Sequence, residues 1–238
     1  MKNHFDRIAQ DYDKQIPKHI QTHLLKKKSA FMKKRLLAAG KRYRKGLDIG
    51  CGTGHYLKKM DHYGYRMTGF DFSKGMVQEA KKQNKGKNIN ITEGSILKIP
   101  HKASQFDFAY TINVMHHLPT LKKQKEALKE VYRILKPGGI FFIHEVNTDN
   151  PLFKFYMNYI FPMTSRIDDD DTELWLSAKW IKKNPVKGFI CEDILYFTFL
   201  PNFLPKFLFP LSVKLESHLE KITKGKQGAH YMALLKKS

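Results

Sequence analysis

Cysteine is nearly absent: Cys51 and Cys191 are the only two in 238 residues. That excludes a disulfide framework or a cysteine zinc cluster, and a reduced, cytoplasmic setting fits. Long apolar runs are missing as well. No uninterrupted stretch approaches the roughly 20 residues of a spanning helix, and the polar start Met1-Lys2-Asn3-His4-Phe5-Asp6 has no apolar signal-peptide core. A soluble chain, or one peripheral to a membrane, is expected. Acidic residues are scarce, with 22 Asp and Glu against 43 Lys and Arg and a formal net charge of +21. An excess of this size keeps nucleic acid, an anionic membrane face and an acidic small molecule open as partners, beside the plain alternative of a solvated lysine surface. Neither an internal repeat nor a low-complexity tract occurs beyond the acidic and lysine runs.

What is present is enough to fold. Hydrophobic residues make up 42% of the chain and aromatics 13%, which excludes a purely solvating polymer. The length suits one α/β domain with insertions. Leu24, Leu25, Ala30, Phe31, Leu36 and Leu37 form a loose helical stripe over 21–39 that ends at Gly40, with its lysines read as the solvated face. Strands are expected at 46–49, 65–70, 88–92, 106–111 and 140–146. Helices are expected over 55–60, 73–83 with Ser73 as N-cap, and 121–135, with a turn at Pro137-Gly138-Gly139. Such alternation implies a doubly wound, mostly parallel sheet. The pattern then changes, and 150–190 reads as an insertion over the site. A strand at 193–200, a helix at 207–222 and a strand at 230–236 would complete seven strands.

Gly50, Gly52 and Gly54 follow a buried strand, where glycine lets backbone approach a ligand and takes positive φ. The spacing departs from the dinucleotide fingerprint, because His55 stands where the third glycine belongs. From Asp48 to Gly54 the chain resembles class I S-adenosylmethionine-dependent methyltransferases, and the resemblance extends through most of 44–146. It implies an α/β Rossmann-like, doubly wound seven-stranded sheet with an inserted helical and aromatic cap, and S-adenosyl-L-methionine as cofactor. On that basis one domain spans 1–238: an N-terminal lid and helix over 1–40, a cofactor-binding core over 41–149, a cap over 150–190, and C-terminal strands and helix over 191–238.

The resemblance also distributes roles. The glycine loop, with Cys51 inside it, runs beside the methionine part of the cofactor and places Asp48 near its amino group. Asp71, in Gly69-Phe70-Asp71-Phe72-Ser73, takes the place of the acid that accepts both ribose hydroxyls. The run Glu93-Gly94-Ser95-Ile96 follows the third strand, where the family holds the adenine, and Phe72 and Met76 are further cofactor-binding candidates. Asn113, Val114 and His117, in Thr111-Ile112-Asn113-Val114-Met115-His116-His117-Leu118, follow the fourth strand. Residues 130–139 match the family's helix-turn-strand segment, a structural signature. Phe5 to Asp13 looks like a lid, with Tyr12 toward the cofactor carboxylate and an ordinary amphipathic stripe as the plain alternative. His19 is a weaker lid candidate.

Methyl transfer asks the protein mainly to position and desolvate its partners. Where the acceptor is a hydroxyl, His117, His144 and Glu145 are the candidate bases at strand exits, each with a packing role as the alternative. The run Asp168 to Asp171 reads as a solvated loop, and no metal site is expected. The aromatic, proline-broken stretch 196–211 is either core filling or an apolar wall for a hydrophobic acceptor or membrane surface. With Phe153, Phe155, Tyr156, Tyr159 and Phe161 it favours a small-molecule or lipid-like acceptor for O- or C-methylation. No RNA-binding motif is visible, although the charge leaves nucleic acid open. Protein methylation, a non-catalytic cofactor-binding protein and a dehydrogenase are the alternatives, and oligomeric state is left open.

Overall fold

The computed structural model describes residues 4–40, 43–155, 159, 173–183, 188–198, 204–223 and 228–238. Helix α1 (His4–Ile8) and a 3-10 turn at Tyr12–Lys14 precede the long α2 (Lys18–Ala39). Then come β1 (Lys45–Ile49), α3 (His55–His62), β2 (Arg66–Asp71), α4 (Lys74–Gln83), β3 (Asn90–Glu93) and β4 (Phe106–Ile112). After a 3-10 turn at Met115–His117 follow α5 (Leu121–Ile134), β5 (Leu135–Val146), α6 (Pro151–Phe155), α7 (Ala178–Lys183), β6 (Phe189–Phe197), α8 (Phe209–Ile222) and β7 (His230–Lys237).

The sheet has seven strands in the order β3-β2-β1-β4-β5-β7-β6. Neighbours from β3 to β5 run parallel, and β7 is antiparallel to both β5 and β6. This is the Rossmann-like α/β sheet expected from the strand-helix alternation. Alternation of side chains across the pleat explains the two layers. Leu47, Ile49, Ala109, Phe141 and Ile143 pack with Ala127, Leu128 and Val131 of α5 on one face. Phe108, Tyr110, Ile140 and Phe142 pack with Met32 and Leu36 of α2 and Leu57 of α3 on the other.

Several boundaries moved for physical reasons. The turn at Pro137-Gly138-Gly139 lies inside β5 as a bulge: Phe106 pairs with Leu135, yet Phe108 pairs with Ile140, and Gly138 supplies the positive φ of +70° that the excursion needs. Strand β6 begins at Phe189, inside the expected insertion, because a register shift between Cys191 and Asp193 lets the polar pair Glu192-Asp193 sit in a strand. Glu192 then meets Lys236 at 3.1 Å, and Asp193 pairs with Arg35. On α2 the lysine face is not wholly solvated. Its buried stripe is Ile20, Leu24, Lys28, Met32 and Leu36, with Lys28 only 4% exposed, while Leu37 is 61% exposed.

In the aromatic C-terminal stretch Phe197 belongs to the core, whereas Phe207 and Leu211 are exposed. Residues 199–203, the acidic run Asp168 to Asp171, Tyr156 and Phe161 lie outside the described residues. No helix among the described residues is long and apolar enough to cross a membrane.

Candidate cofactor and acceptor site

The strand exits of β1, β2 and β4 meet at the glycine loop. The amides of Gly50 and Cys51 both donate to the Phe70 carbonyl, at 2.9 and 3.0 Å, which ties the loop to the end of β2. Gly50, Gly52 and Gly54 have φ of +69°, +51° and +85°, a region that L side chains rarely adopt. Their surroundings differ. A Cβ on Gly50 would come within 2.6 Å of Val114 Cγ2, and one on Gly54 within 2.6 Å of Asn84 Nδ2, whereas Gly52 faces open space. Gly50 and Gly54 therefore permit close packing, and Gly52 opens the cradle. Cys51 is buried, and burial pushes its thiol pKa well up.

Asp71 closes the cradle on the β2 side. Its Oδ2 accepts from the Gly52 amide at 2.8 Å and its Oδ1 from the Ser73 amide at 2.9 Å. Burial raises its pKa, the amides of Ser73, Gly52 and Phe72 oppose the rise, and Asp6 adds to it. Each carboxylate oxygen retains a second lone pair for a hydroxyl donor. Phe72 beside it is an exposed ring, 67% accessible. Met76 is buried and contributes its amide to the Ser73 hydroxyl at 3.2 Å, the expected N-cap. Gly94 donates to the Asp71 carbonyl at 2.9 Å, Ser95 Oγ accepts from the Leu97 amide, and Ile96 is buried in the core.

Asp48 sits at the end of β1 on the α3 side, only 2% exposed, and its Oδ2 has no well-formed hydrogen bond among the described residues. Burial pushes its pKa well up, the nearby Tyr110 hydroxyl tempers the rise, and Asp71 reinforces it. An unsatisfied buried carboxylate oxygen beside an open glycine cradle fits the ammonium group of the cofactor that the sequence implies.

The N-terminal segment expected to form a lid packs beside this cradle and is pinned by two carboxylates that sequence reasoning missed. Asp6 Oδ1 accepts from Ser73 Oγ at 2.6 Å and from the Gly75 amide at 2.9 Å. Asp13 accepts from Thr53 Oγ1, His55 Nε2 and Gln83 Nε2 at 2.8 to 2.9 Å. Burial alone would raise Asp13, but the bonds from His55, Gln83 and Thr53 hold it below its ordinary value. Tyr12 lies between these anchors, its ring edge-on to Phe5 at 6.4 Å. Phe5 in turn packs edge-on to His117 at 5.2 Å. His19 lies away from the lid, with Nε2 2.9 Å from the Leu204 carbonyl. In the sequence, only the recurrence of Asp among the apolar lid residues could have signalled the pins.

At the β4 exit Asn113 takes a positive φ of +56° and its amide donates to the His144 carbonyl. Glu145 of β5 then holds the following turn. Its Oε1 accepts from the amides of Val114 and Met115, and its Oε2 meets His116 Nδ1 at 2.6 Å. Glu145 is 0% exposed, so its oxygens face this turn and not the open cradle. His144, also 0% exposed, has both ring nitrogens without a hydrogen-bond partner among the described residues. Burial, followed by the charges of Lys28, His230 and His116, holds it neutral. His117 is the partly exposed member of the three candidate bases, its side chain 29% accessible. Burial first, then His116 and His4, push its pKa down to about 3. The structure thus brings His117 to the cradle rim and places His144 and Glu145 in the wall behind it.

Comparison with known proteins agrees with this geometry. Residues 47–143 match a family model described as "Methyltransferase domain". A tRNA (carboxymethyluridine(34)-5-O)-methyltransferase of Saccharomyces cerevisiae is 38% identical over 95 residues, 40% of this chain and 32% of that protein. A demethylmenaquinone methyltransferase of Staphylococcus aureus is 29% identical over 132 residues, 52% of this chain and 54% of its own length. The matches therefore span from about a third to about half of these relatives. A chain in the complex between the Haloferax volcanii Trm112 methyltransferase activator and the putative methyltransferase shares the fold, with a TM-score of 0.67 at 17% identity over 100% of this chain and 99% of that one. Residues 47–143 thus carry a methyltransferase domain of the class I, S-adenosylmethionine-dependent type, and the glycine cradle with the acids at the ends of β1 and β2 lies within that matched segment.

Proposed function

We propose that the protein transfers a methyl group from S-adenosylmethionine to a small-molecule or lipid-like acceptor. The observation that carries the reading is the row of ring contacts that runs from Phe5 to the turn after β4. Phe5 of the lid lies against His117, His116 touches His117 at 4.0 Å, and Trp175 stacks on His116 at 4.2 Å. A run of packed aromatic rings beside the cradle suits a compact apolar acceptor better than a polymer surface. The name of the S. aureus relative points to demethylmenaquinone, an acceptor of that kind.

In this reading Asp71 holds the ribose hydroxyls, Asp48 the amino group, and Gly52 leaves room for the methionine part. The cofactor supplies an activated methyl on a sulfonium. The chain's contribution is alignment and exclusion of water: the pinned lid closes over the cradle, and Glu145 fixes the turn that carries His117. Glu145 and His144 are positioning residues here, since neither reaches the open cradle.

The net charge of +21 and the yeast relative's name favour tRNA as a second reading. Titration with S-adenosylmethionine, S-adenosylhomocysteine and NAD, followed by label transfer to a panel of hydrophobic hydroxylated compounds and to bulk tRNA, tests both. Binding of the first two with transfer to the small compounds is expected. Transfer to tRNA alone overturns the acceptor class, and no binding of either adenosyl compound overturns the cofactor assignment.

A further inference from the structure

Among the described residues, two elements far apart in sequence bring His116, His117 and Glu173 together, and one ligand atom from each lies within 4.8 Å of the others. Glu173 Oε1 is 3.9 Å from His116 Nε2 and 3.8 Å from His117 Nδ1. A tetrahedral ion bound at about 2.0 to 2.2 Å sets its ligands roughly 3.4 Å apart, so these two gaps exceed the bound spacing only slightly. The cluster is not a chance meeting of mobile side chains. His116 is 2% exposed, lies under the Trp175 ring and is fixed by Glu145. Glu173 is carried by a segment docked at two points: the Leu174 amide donates to the His116 carbonyl at 2.9 Å, and Gln124 Nε2 donates to the Leu174 carbonyl at 2.7 Å.

The chemistry of the donor set is specific. The Glu145 carboxylate accepts only, so His116 Nδ1 carries the proton and Nε2 presents its lone pair toward Glu173. A carboxylate behind a histidine is the outer-shell arrangement that orients imidazole on a metal and raises its basicity. Two imidazoles and one carboxylate disfavour magnesium and calcium, which prefer all-oxygen shells, and suit zinc-class ions. Glu145 and Glu173 together offset a double positive charge in a chain otherwise rich in cations.

We propose that His116 Nε2, His117 Nδ1 and Glu173 Oε1 form a binding site for one divalent ion of the zinc class at the rim of the cofactor cradle. Three protein ligands leave a fourth position for solvent or an oxygen of the acceptor. Cation binding at this cluster stands apart from the identity of the acceptor.

The test is titration of chelator-treated protein with Zn2+ against a chromophoric chelator, with Co2+ absorption as a report of coordination. One equivalent per chain is expected. Glu173→Gln and His117→Gln should each weaken it by about tenfold or more, Glu145→Gln by about ten- to hundredfold, and the exposed His62→Asn should leave it unchanged. Melting curves and S-adenosylhomocysteine binding show whether each variant keeps its fold. Loss of adenosyl binding in the parent alone would count against the proposed function and leave the metal site standing. Absence of stoichiometric binding, or undiminished binding in both Glu173→Gln and His117→Gln, overturns the site.

Discussion

Around the glycine loop, the amides of Gly52 and Ser73 meet Asp71, and the side chains of Thr53, His55 and Gln83 meet Asp13. On the α2 side of β5 and β7, by contrast, both nitrogens of His144, His230 Nδ1, Thr198 Oγ1 and Asn147 Oδ1 are buried without hydrogen-bond partners among the described residues. Lys28 sits in the same layer, 4% exposed. A buried unsatisfied group costs roughly 1–3 kcal/mol. Apart from Asp48 Oδ2, Tyr110 Oη and Asn84 Oδ1, which also lack partners among the described residues, the loop and Asp71 are thus preorganised by the chain's own polar contacts, and the region behind them is held in place by packing despite its polar groups.

Lys28 gives the largest way to break that comparison. Burial lowers its pKa from the ordinary 10.5 to about 7, partly offset by Glu145. His144 of β5 and His230 of β7 feel its charge, and His230 in turn faces Lys27 of α2 and Glu216 of α8. Because the folded value is the lower one, the unfolded chain binds more protons between about 7 and 10.5, and stability rises with pH across that window. Below it both states are protonated and the penalty of burial is fully present. Each pH unit between the two values is worth about 1.4 kcal/mol. Lys28→Met is expected to be more stable than the parent at pH 6 to 7, on the order of several kcal/mol by that conversion. The gain should shrink toward pH 10. Denaturant melts at a series of pH values check it, and a constant difference would show that Lys28 reaches solvent.

Next in size are the loop glycines. Gly50→Ala combines a positive φ with a 2.6 Å approach to Val114, and should cost about 2–5 kcal/mol from strain and overpacking together. Gly52→Ala has the strain without the collision, and should cost about 1–2 kcal/mol while also obstructing the cradle. Stability and S-adenosylhomocysteine affinity measured side by side separate the two. Equal losses of stability would mean that Gly50 does not pack as described. Asp71→Asn follows, with cofactor affinity falling by about 1.5–3 kcal/mol as a charged acceptor is lost; unchanged affinity in a folded variant would sink the ribose assignment.

The same contrast explains what the sequence made legible. The loop, Asp71 and the Ser73 cap are local features, each demanded by backbone geometry within a few neighbouring residues, and these were readable. Helix α2 was readable as a helix, but its buried face was not, since Lys28 looks like one more lysine of a solvated side until β5 and β7 pack over it. Strand β6 was read four residues late because Glu192-Asp193 interrupts the apolar pattern, and only the bulge against β7 accommodates the pair. His117 was singled out from its motif. Its partner Glu173 and the lid pins Asp6 and Asp13 were not, because their contacts span from about 40 to 70 residues and leave no periodic trace.

The smallest expected effect bears on whether the lid belongs to the preorganised region. Asp13→Asn keeps one oxygen for Thr53 but turns an amide group toward two donors, His55 and Gln83. With the carboxylate about half buried, solvent screens part of the loss, and a destabilisation near 1 kcal/mol is expected. Its pH dependence is opposite in origin to that of Lys28. The folded pKa of Asp13 lies below 3.8, so its contribution is present above that value and lost as pH falls through the folded one. At neutral pH the variant should expose the amides of residues 4–14 to faster hydrogen exchange and release S-adenosylhomocysteine several times faster, with the exchange of β1 and β4 unchanged. If release accelerates without faster exchange in the lid, Asp13 acts through Thr53 and the loop itself. If exchange accelerates alone, the lid moves independently of the cradle and the cofactor is held by Asp48, Asp71 and the glycine loop.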